Sequence, residues 1–321
     1  MHFIAEMNKI TASILLALLS LTVCLSLAAS SAFGEEIKAR AAVVMEAETG
    51  KVLFAKNPEL RLFPASTTKL MTALVVLDRM QPDDVVMVSE QAAAASPTKI
   101  GLRHGDTITV GALLHAALIR SANDAAIALA EAVAGSEEGF VELMNRKAVS
   151  LGLNNTRFIN SNGLPGPGQY TSALELAEIM REALRHPLLK EILGTRVADV
   201  STAGGRTKTI RNTNHLLWSD QELMLGKTGY TRDAGHCFVG AGDCGSGTII
   251  VALLGEPMRG LLWSEAGALM TLGERVINDI EEPVVYITRA DYDAAKVRRA
   301  SGSTRKQGIR KSRIRQKRSD F

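Results

Sequence analysis

Three short stretches of the chain carry side chains suited to acyl transfer. In Pro64-Ala65-Ser66-Thr67-Thr68-Lys69 a serine and a lysine stand three positions apart. On a helix that spacing puts them on one face a turn apart, close enough for the amine to take the hydroxyl proton. Ser121-Ala122-Asn123 and Lys227-Thr228-Gly229 follow in that order. Acyl transfer needs an activated hydroxyl, a proton path to the leaving amine and donors for the oxyanion. Ser66 is the candidate nucleophile and Lys69 its base. Ser121 and Lys227 can carry the proton path, Asn123 can hold a substrate amide, and Thr228 with Lys227 can bind a terminal carboxylate. Gly229 removes a side chain where an extended peptide must lie against a strand edge.

Each stretch alone has a simpler explanation. Ser66 could cap a helix beside a snorkelling lysine, Ser121 to Asp124 could be mere capping, and Lys-Thr-Gly could be a turn. The Ser-x-x-Lys spacing recurs at Ser303 and Lys306, in a basic tail with no apolar helix, where it carries no such meaning. What supports catalysis is the coincidence of all three, in order, on a helix, a loop and a strand.

The elements that must position these residues are legible in outline. Leu70 to Leu77 is apolar on nearly every side, so the helix is expected to be buried, with its N-terminus and Ser66 opening onto a cleft. Pro64 helps to fix its start, and the free N–H groups there favour a developing oxyanion. Ala41–Met45 and Lys51–Ala55 read as a hairpin around Gly50, and Val85–Val88 as a short strand. Helices are expected over Gly111–Ile119, Ala125–Ala134 with Gly135 at its end, Phe140–Leu151 closed by Gly152, and Ala173–Leu184 capped by Thr171 or Ser172. Asn160 to Gln169 is a loop. Strands at Lys227–Gly229, His236–Ala241 and Thr248–Leu254 precede a last helix over Leu261–Ile280. Strand pairs at both ends with helices between them predict an α+β fold, one antiparallel sheet built from both termini with a helical insert.

The 321 residues suffice for one large domain or two small ones, and no internal repeat is found. Residues 1–34 read as a signal peptide, with Lys9, an apolar run from Ile14 to Ala29 and a cleavage position after Ala32. An uncleaved anchor is the alternative. Either way the body, residues 35–285, is expected outside the cytoplasmic membrane, in the periplasm or cell envelope. Cys24 falls in the leader, and Cys237 and Cys244 lie too far apart along one strand and its turn to bridge, so both are expected free. The net charge of +3 conceals a basic tail within residues 286–321. Its cations from Lys296 to Arg318 suit an anionic lipid or wall surface as well as they suit a solvated end. Nucleic acid is excluded as a partner by the expected export. The histidines show no metal-ligand spacing and are read as structural.

Ser66-x-x-Lys69, Ser121-Ala122-Asn123 and Lys227-Thr228-Gly229 form the motif set shared by penicillin-binding proteins and serine β-lactamases. Further stretches extend the likeness: Arg61-x-x-Pro-Ala-Ser-Thr-Thr-Lys-Leu-Met, Asn160, Gly163-Leu164, Asn212-Thr-Asn-His-Leu-Leu217 and Lys227-Thr-Gly-Tyr-Thr-x-x-Ala-Gly-His-Cys237. Over about Ala41 to Glu282 the chain resembles the D-alanyl-D-alanine carboxypeptidase family of low-molecular-mass penicillin-binding proteins. The resemblance implies the DD-peptidase/β-lactamase-like fold, serine hydrolysis of D-Ala-D-Ala in peptidoglycan peptides without metal or cofactor, and inhibition by β-lactams. It also implies the backbone N–H groups of Ser66 and Tyr230 as oxyanion donors.

Two departures stand out. Many family members carry a separate β-rich domain after the catalytic one, whereas here a short charged segment follows Ile280, as in the D-alanyl-D-alanine endopeptidase branch that cuts crosslinks. The arginine that members often place after the last hairpin, where it helps to bind the terminal carboxylate, is Leu262 here, with Arg259 nearby. Two rival readings remain: a penicillinase-type β-lactamase, for which no separate deacylating glutamate loop is found, and a non-catalytic wall-peptide module, which the intact Ser66, Lys69 and Lys227 argue against.

Overall fold

The computed structural model describes residues 37–219 and 224–288. The chain divides into Met1–Ile37 and Lys38–Phe321, and the strands and helices of the described residues all lie in the second unit. The expected signal peptide, and the basic tail beyond residue 288, lie outside the described residues.

Apolar strands from both ends of the unit build its sheet. Strands β1 (Ala41–Glu46) and β2 (Val52–Lys56) form the expected hairpin. The chain then makes a 3-10 turn, Ala65–Thr68, and runs directly into α1 (Lys69–Leu77). The insert holds β3 (Val85–Met87), α2 (Glu90–Ala93), β4 (Thr107–Thr109), α3 (Val110–Ile119), α4 (Asn123–Ala134) and α5 (Glu137–Ser150). After it come α6 (Ala173–Leu184), α7 (Pro187–Gly194) and the hairpin β5 (Val197–Ser201) and β6 (Thr207–Arg211). A 3-10 turn, His215–Trp218, leads towards β7 (Leu225–Thr231), β8 (Gly235–Asp243) and β9 (Thr248–Glu256), then α8 (Arg259–Ile277) and β10 (Val284–Tyr286).

The six-stranded sheet has the order β10-β2-β1-β9-β8-β7, antiparallel except for the β10–β2 pair. Its strands are apolar at successive positions because helices cover both faces. Ala41, Val43 and Met45 join the core shared with α1, α3, α4 and α6. Val44 points the other way, where a Cβ on Gly273 of α8 would come within 2.7 Å of its Cγ1. That close approach explains a glycine inside a long helix.

Caps account for where the helices begin. The Ser172 hydroxyl accepts from Glu175 N at the start of α6, and Ser136 and Thr109 do the same for α5 and α3. Gly135 ends α4 in the left-handed region at φ 77°. The last helix spans Arg259–Ile277, starting and ending earlier than the sequence pattern suggests. The expected boundary after residue 285 falls inside β10, and Asn57 Oδ1 accepts from Thr288 N at 2.7 Å beyond it. Cys237 and Cys244 are free, Cys237 buried in β8. No helix among the described residues is long and apolar enough to cross a membrane.

Candidate active site

The nucleophile turn is gripped between two glycines. Gly163 lies on one side at φ +87°, where a Cβ would fall 1.8 Å from the Ala65 carbonyl oxygen. Gly229 of β7 lies on the other, where a Cβ would fall 2.9 Å from Ser66 N. Neither position tolerates a side chain. Pro64 O accepts from the Thr67 hydroxyl at 2.7 Å and holds the turn closed. Ser66 therefore sits on a tight 3-10 turn just before α1 rather than on the α-helix itself. The three-residue spacing still brings Lys69 Nζ within 3.0 Å of Ser66 Oγ.

Lys69 is fully buried. Besides Ser66, its Nζ meets the Asn162 carbonyl at 2.6 Å and Asn123 Oδ1 at 2.8 Å. Those two oxygens can only accept. A neutral amine gives them its two N–H groups and turns its lone pair to the Ser66 hydroxyl. Burial, and then the charge of Lys227, push the Lys69 pKa well below the ordinary lysine value. Geometry and electrostatics thus agree on an amine ready to take a proton.

The loop carrying Asn162 is fixed by its own side chains. Asn160 Oδ1 accepts from Gly163 N at 2.7 Å, and Asn162 Oδ1 accepts from Leu164 N at 3.0 Å. Ser161 donates through N and Oγ to Glu137 Oε1 at 2.9 and 2.5 Å. On the opposite wall the buried Asp124 carboxylate accepts from the backbone N–H groups of Ile100, Gly101 and Leu102.

Asn123 differs from its expected role. Its amide nitrogen donates to the carbonyls of Ser96 and Pro97, each at 3.2 Å, while its oxygen accepts from Lys69. The side chain is nearly inaccessible, at 4%. It holds the Lys69 amine and ties it to the 96–102 loop, and in this arrangement does not reach out for a substrate amide.

Ser121 stands between α3 and α4 at φ +65°, a left-handed conformation that turns it towards the cleft. Lys227 Nζ donates to Ser121 Oγ at 3.0 Å and to Thr228 O at 2.9 Å. Burial lowers the Lys227 pKa to about 7, so this amine too can gain and lose a proton near neutrality. Thr228 Oγ1 lies 2.6 Å from Thr213 Oγ1, a partner that sequence reasoning did not single out. Tyr230 is exposed, with its ring stacked on His236 at 4.4 Å.

Ser66, Ser121, Thr228, Gly229 and Tyr230 all line one cleft of about 280 Å³, with Thr213 and Arg259. Lys69, Asn123 and Lys227 lie beneath its floor, at 0%, 4% and 0% exposure. Leu262 reaches the cleft as a buried apolar side chain, and Arg259 brings a guanidinium to it. His215 and His236, read from sequence as structural, stand at this cleft: His236 lines it, and Arg259 Nη2 contacts His215 Nε2 at 2.8 Å. Among the described residues no cluster of His, Cys, Asp or Glu could hold a metal ion.

The sequence profile described as D-alanyl-D-alanine carboxypeptidase matches residues 27–257. The chain is 37% identical over 223 residues to the D-alanyl-D-alanine carboxypeptidase DacF of Bacillus subtilis, a match covering 68% of this chain and 57% of that one. It is also 37% identical over 217 residues to a D-alanyl-D-alanine endopeptidase of Escherichia coli, covering 66% and 69% of the respective chains. Among solved structures, a D-alanyl-D-alanine carboxypeptidase from Mycobacterium tuberculosis superposes with a TM-score of 0.70 at 30% identity, covering 74% of this chain and 92% of that one. The chain thus spans little more than half the length of the Bacillus relative.

Proposed function

The chain belongs to the D-alanyl-D-alanine carboxypeptidase family, and on that premise we propose that it is a serine peptidase that hydrolyses the D-Ala-D-Ala bond of peptidoglycan stem peptides. The observation that carries this reading is the Lys69 environment: two fixed carbonyl acceptors and one hydroxyl, around an amine whose pKa is strongly lowered. That set supports Lys69 as the base for Ser66.

The chemistry follows from the geometry. As Ser66 Oγ bonds to the carbonyl carbon of the penultimate D-Ala, its proton passes to Lys69 Nζ. The oxyanion takes hydrogen bonds from the backbone N–H groups of Ser66 and Tyr230. When the tetrahedral species collapses, the departing amine gains a proton by way of Ser121 and Lys227, which are already hydrogen-bonded to each other. Water then cleaves the ester on Ser66. β-Lactams, which imitate the D-Ala-D-Ala peptide, acylate the same oxygen.

A second reading is endopeptidase action on peptide crosslinks. In its favour, the match covers more of the Escherichia coli endopeptidase than of DacF, and Leu262 stands where a carboxylate-binding arginine is common in the family. Incubation with a monomeric pentapeptide and with a D-Ala-crosslinked dimer, followed by mass spectrometry, tests both. Loss of one terminal D-alanine with intact dimer supports the carboxypeptidase reading alone. Cleaved dimer with intact pentapeptide replaces it by the endopeptidase reading.

Export to the cell envelope accords with the apolar run from Ile14 to Ala29. For the cations from Lys296 to Arg318 we propose retention on an anionic envelope surface. Truncation after Arg289 would then release the protein from membrane or wall fractions at low salt, and equal fractionation of both forms would contradict it.

A further inference from the structure

Helix α5 holds the Asn162 loop at two points. Asn145 Oδ1 accepts from Phe158 N at 2.9 Å, and its Nδ2 donates to Phe158 O at 3.0 Å. At the first residue of the helix, Glu137 Oε1 accepts from both Ser161 N and Ser161 Oγ. Positions 137, 141 and 145 form one i, i+4, i+8 row, so both grips come from the same side of α5. Helix α1 adds a third point, because Thr72 Oγ1 donates to Ser161 O at 2.6 Å. Thr72 stands three residues beyond Lys69, on the same face. With Ser161 tied through N, Oγ and O, and Gly163 N tied to Asn160 Oδ1, the Asn162 carbonyl between them is held against Lys69 Nζ.

Placement at a helix start does not by itself explain Glu137. A carboxylate in the first turn is favoured by the helix dipole without any partner, and Glu138 has that benefit while standing exposed. Glu137 instead turns to Ser161, and its charge is felt at the base. Burial and then Lys227 on β7 lower the Lys69 pKa, against which Asp124 on α4 and Glu137 on α5 raise it. Asp124 is already committed to the backbone N–H groups of Ile100, Gly101 and Leu102. Glu137 does not line the cleft, so it reaches the reaction through Ser161 and Lys69 rather than through the substrate.

We propose that Glu137 is a positioning residue for the base: it fixes Ser161 so that the Asn162 carbonyl meets Lys69 Nζ, and its negative charge acts on that amine from outside the cleft. This role rests on the peptidase reading with Lys69 as base. Acyl transfer then responds to a side chain that never meets the substrate.

The test uses the full chain and stopped-flow acylation by a chromogenic cephalosporin, read at each pH as the limiting rate and the half-saturating concentration. Thermal unfolding checks that each variant is folded. Glu137→Gln keeps an acceptor for Ser161 and removes the charge. The ammonium form of Lys69 then loses a favourable neighbour, its pKa falls, and the rising limb of the profile moves to lower pH. On that limb the variant is expected to acylate about two- to tenfold faster than the parent, with a plateau within about threefold of the parent's. Glu137→Leu keeps bulk but offers Ser161 no acceptor. Its plateau is expected to fall about ten- to a hundred-fold, in the limiting rate and not in the half-saturating concentration, as misplacement of a reacting group does. Ser161→Ala removes one of the two contacts and is expected to lower the plateau about threefold or more, so the positioning role is tested even where the leucine variant does not fold. A Glu137→Gln profile that superimposes on the parent's would overturn the action of the charge on Lys69. An unchanged plateau in folded Glu137→Leu, or in Ser161→Ala where leucine prevents folding, would overturn the positioning role. A parent that is not acylated at all would instead overturn the reading of Ser66 and Lys69 beneath both.

Discussion

Asn123 Oδ1 accepts from Lys69 Nζ at 2.8 Å, so the asparagine of the second motif holds the lysine of the first. The contact is neutral on the asparagine side, which leaves the amine free to lose its proton. Asn123→Asp would put a carboxylate there, and a nearby negative charge favours the ammonium form. The variant's acylation rate is expected to shift to higher pH than the parent's, approaching the parent rate only in alkaline buffer. Stopped-flow acylation by a chromogenic β-lactam across pH measures it, and a superimposable profile would refute the role.

The parent profile has its own expected shape. Because burial and Lys227 hold the Lys69 pKa below its ordinary value, the neutral base is lost as pH falls through that lowered pKa. Acylation should therefore rise with pH and level off well below about 10.4, the value of a free lysine. Lys69→Arg keeps the charge but cannot supply a neutral base, and is expected to acylate at least about a hundred-fold more slowly. A plateau reached only in the ordinary lysine range, or a fully active arginine variant, would remove proton abstraction by Lys69.

Gly163→Ala tests the clamp on the nucleophile turn. The new Cβ must occupy a left-handed backbone position and would overlap the Ala65 carbonyl. Strain of this kind costs about 1–3 kcal/mol, before the overlap is counted. Thermal unfolding should show a lowered Tm, and acylation should slow because Ala65 adjoins Ser66 and Asn162 supplies an acceptor for Lys69. An alanine variant with unchanged Tm and unchanged acylation would mean that the close approach does not constrain the site.

The residues legible in the sequence are those whose proposed roles rest on side-chain chemistry. Ser66, Lys69, Ser121, Lys227 and Thr228 announce themselves by type, spacing and order, and the apolar run Leu70–Leu77 predicts a buried helix behind them. Asn162 cannot be found this way, because it acts through a backbone carbonyl that every residue possesses. Asn123 is identifiable by its motif but points elsewhere than its type suggests, since its partner depends on how the 96–102 loop folds over it. Arg259 and His215 lie 44 positions apart and meet only once β7, β8 and β9 are assembled. The hairpin β5–β6 escapes for a different reason: Val200 and Ile210 are its only buried side chains, too few for a strand pattern.

Everything in this site turns on Ser66 being a nucleophile activated for acylation. Intact-mass measurement after brief exposure to benzylpenicillin, followed by peptide mapping, tests that role most directly. The expected result is one adduct per chain on the peptide containing Ser66, absent from Ser66→Ala, whose unfolding transition remains that of the parent. An adduct of equal stoichiometry on the folded Ser66→Ala protein, or no adduct on the parent, would contradict it.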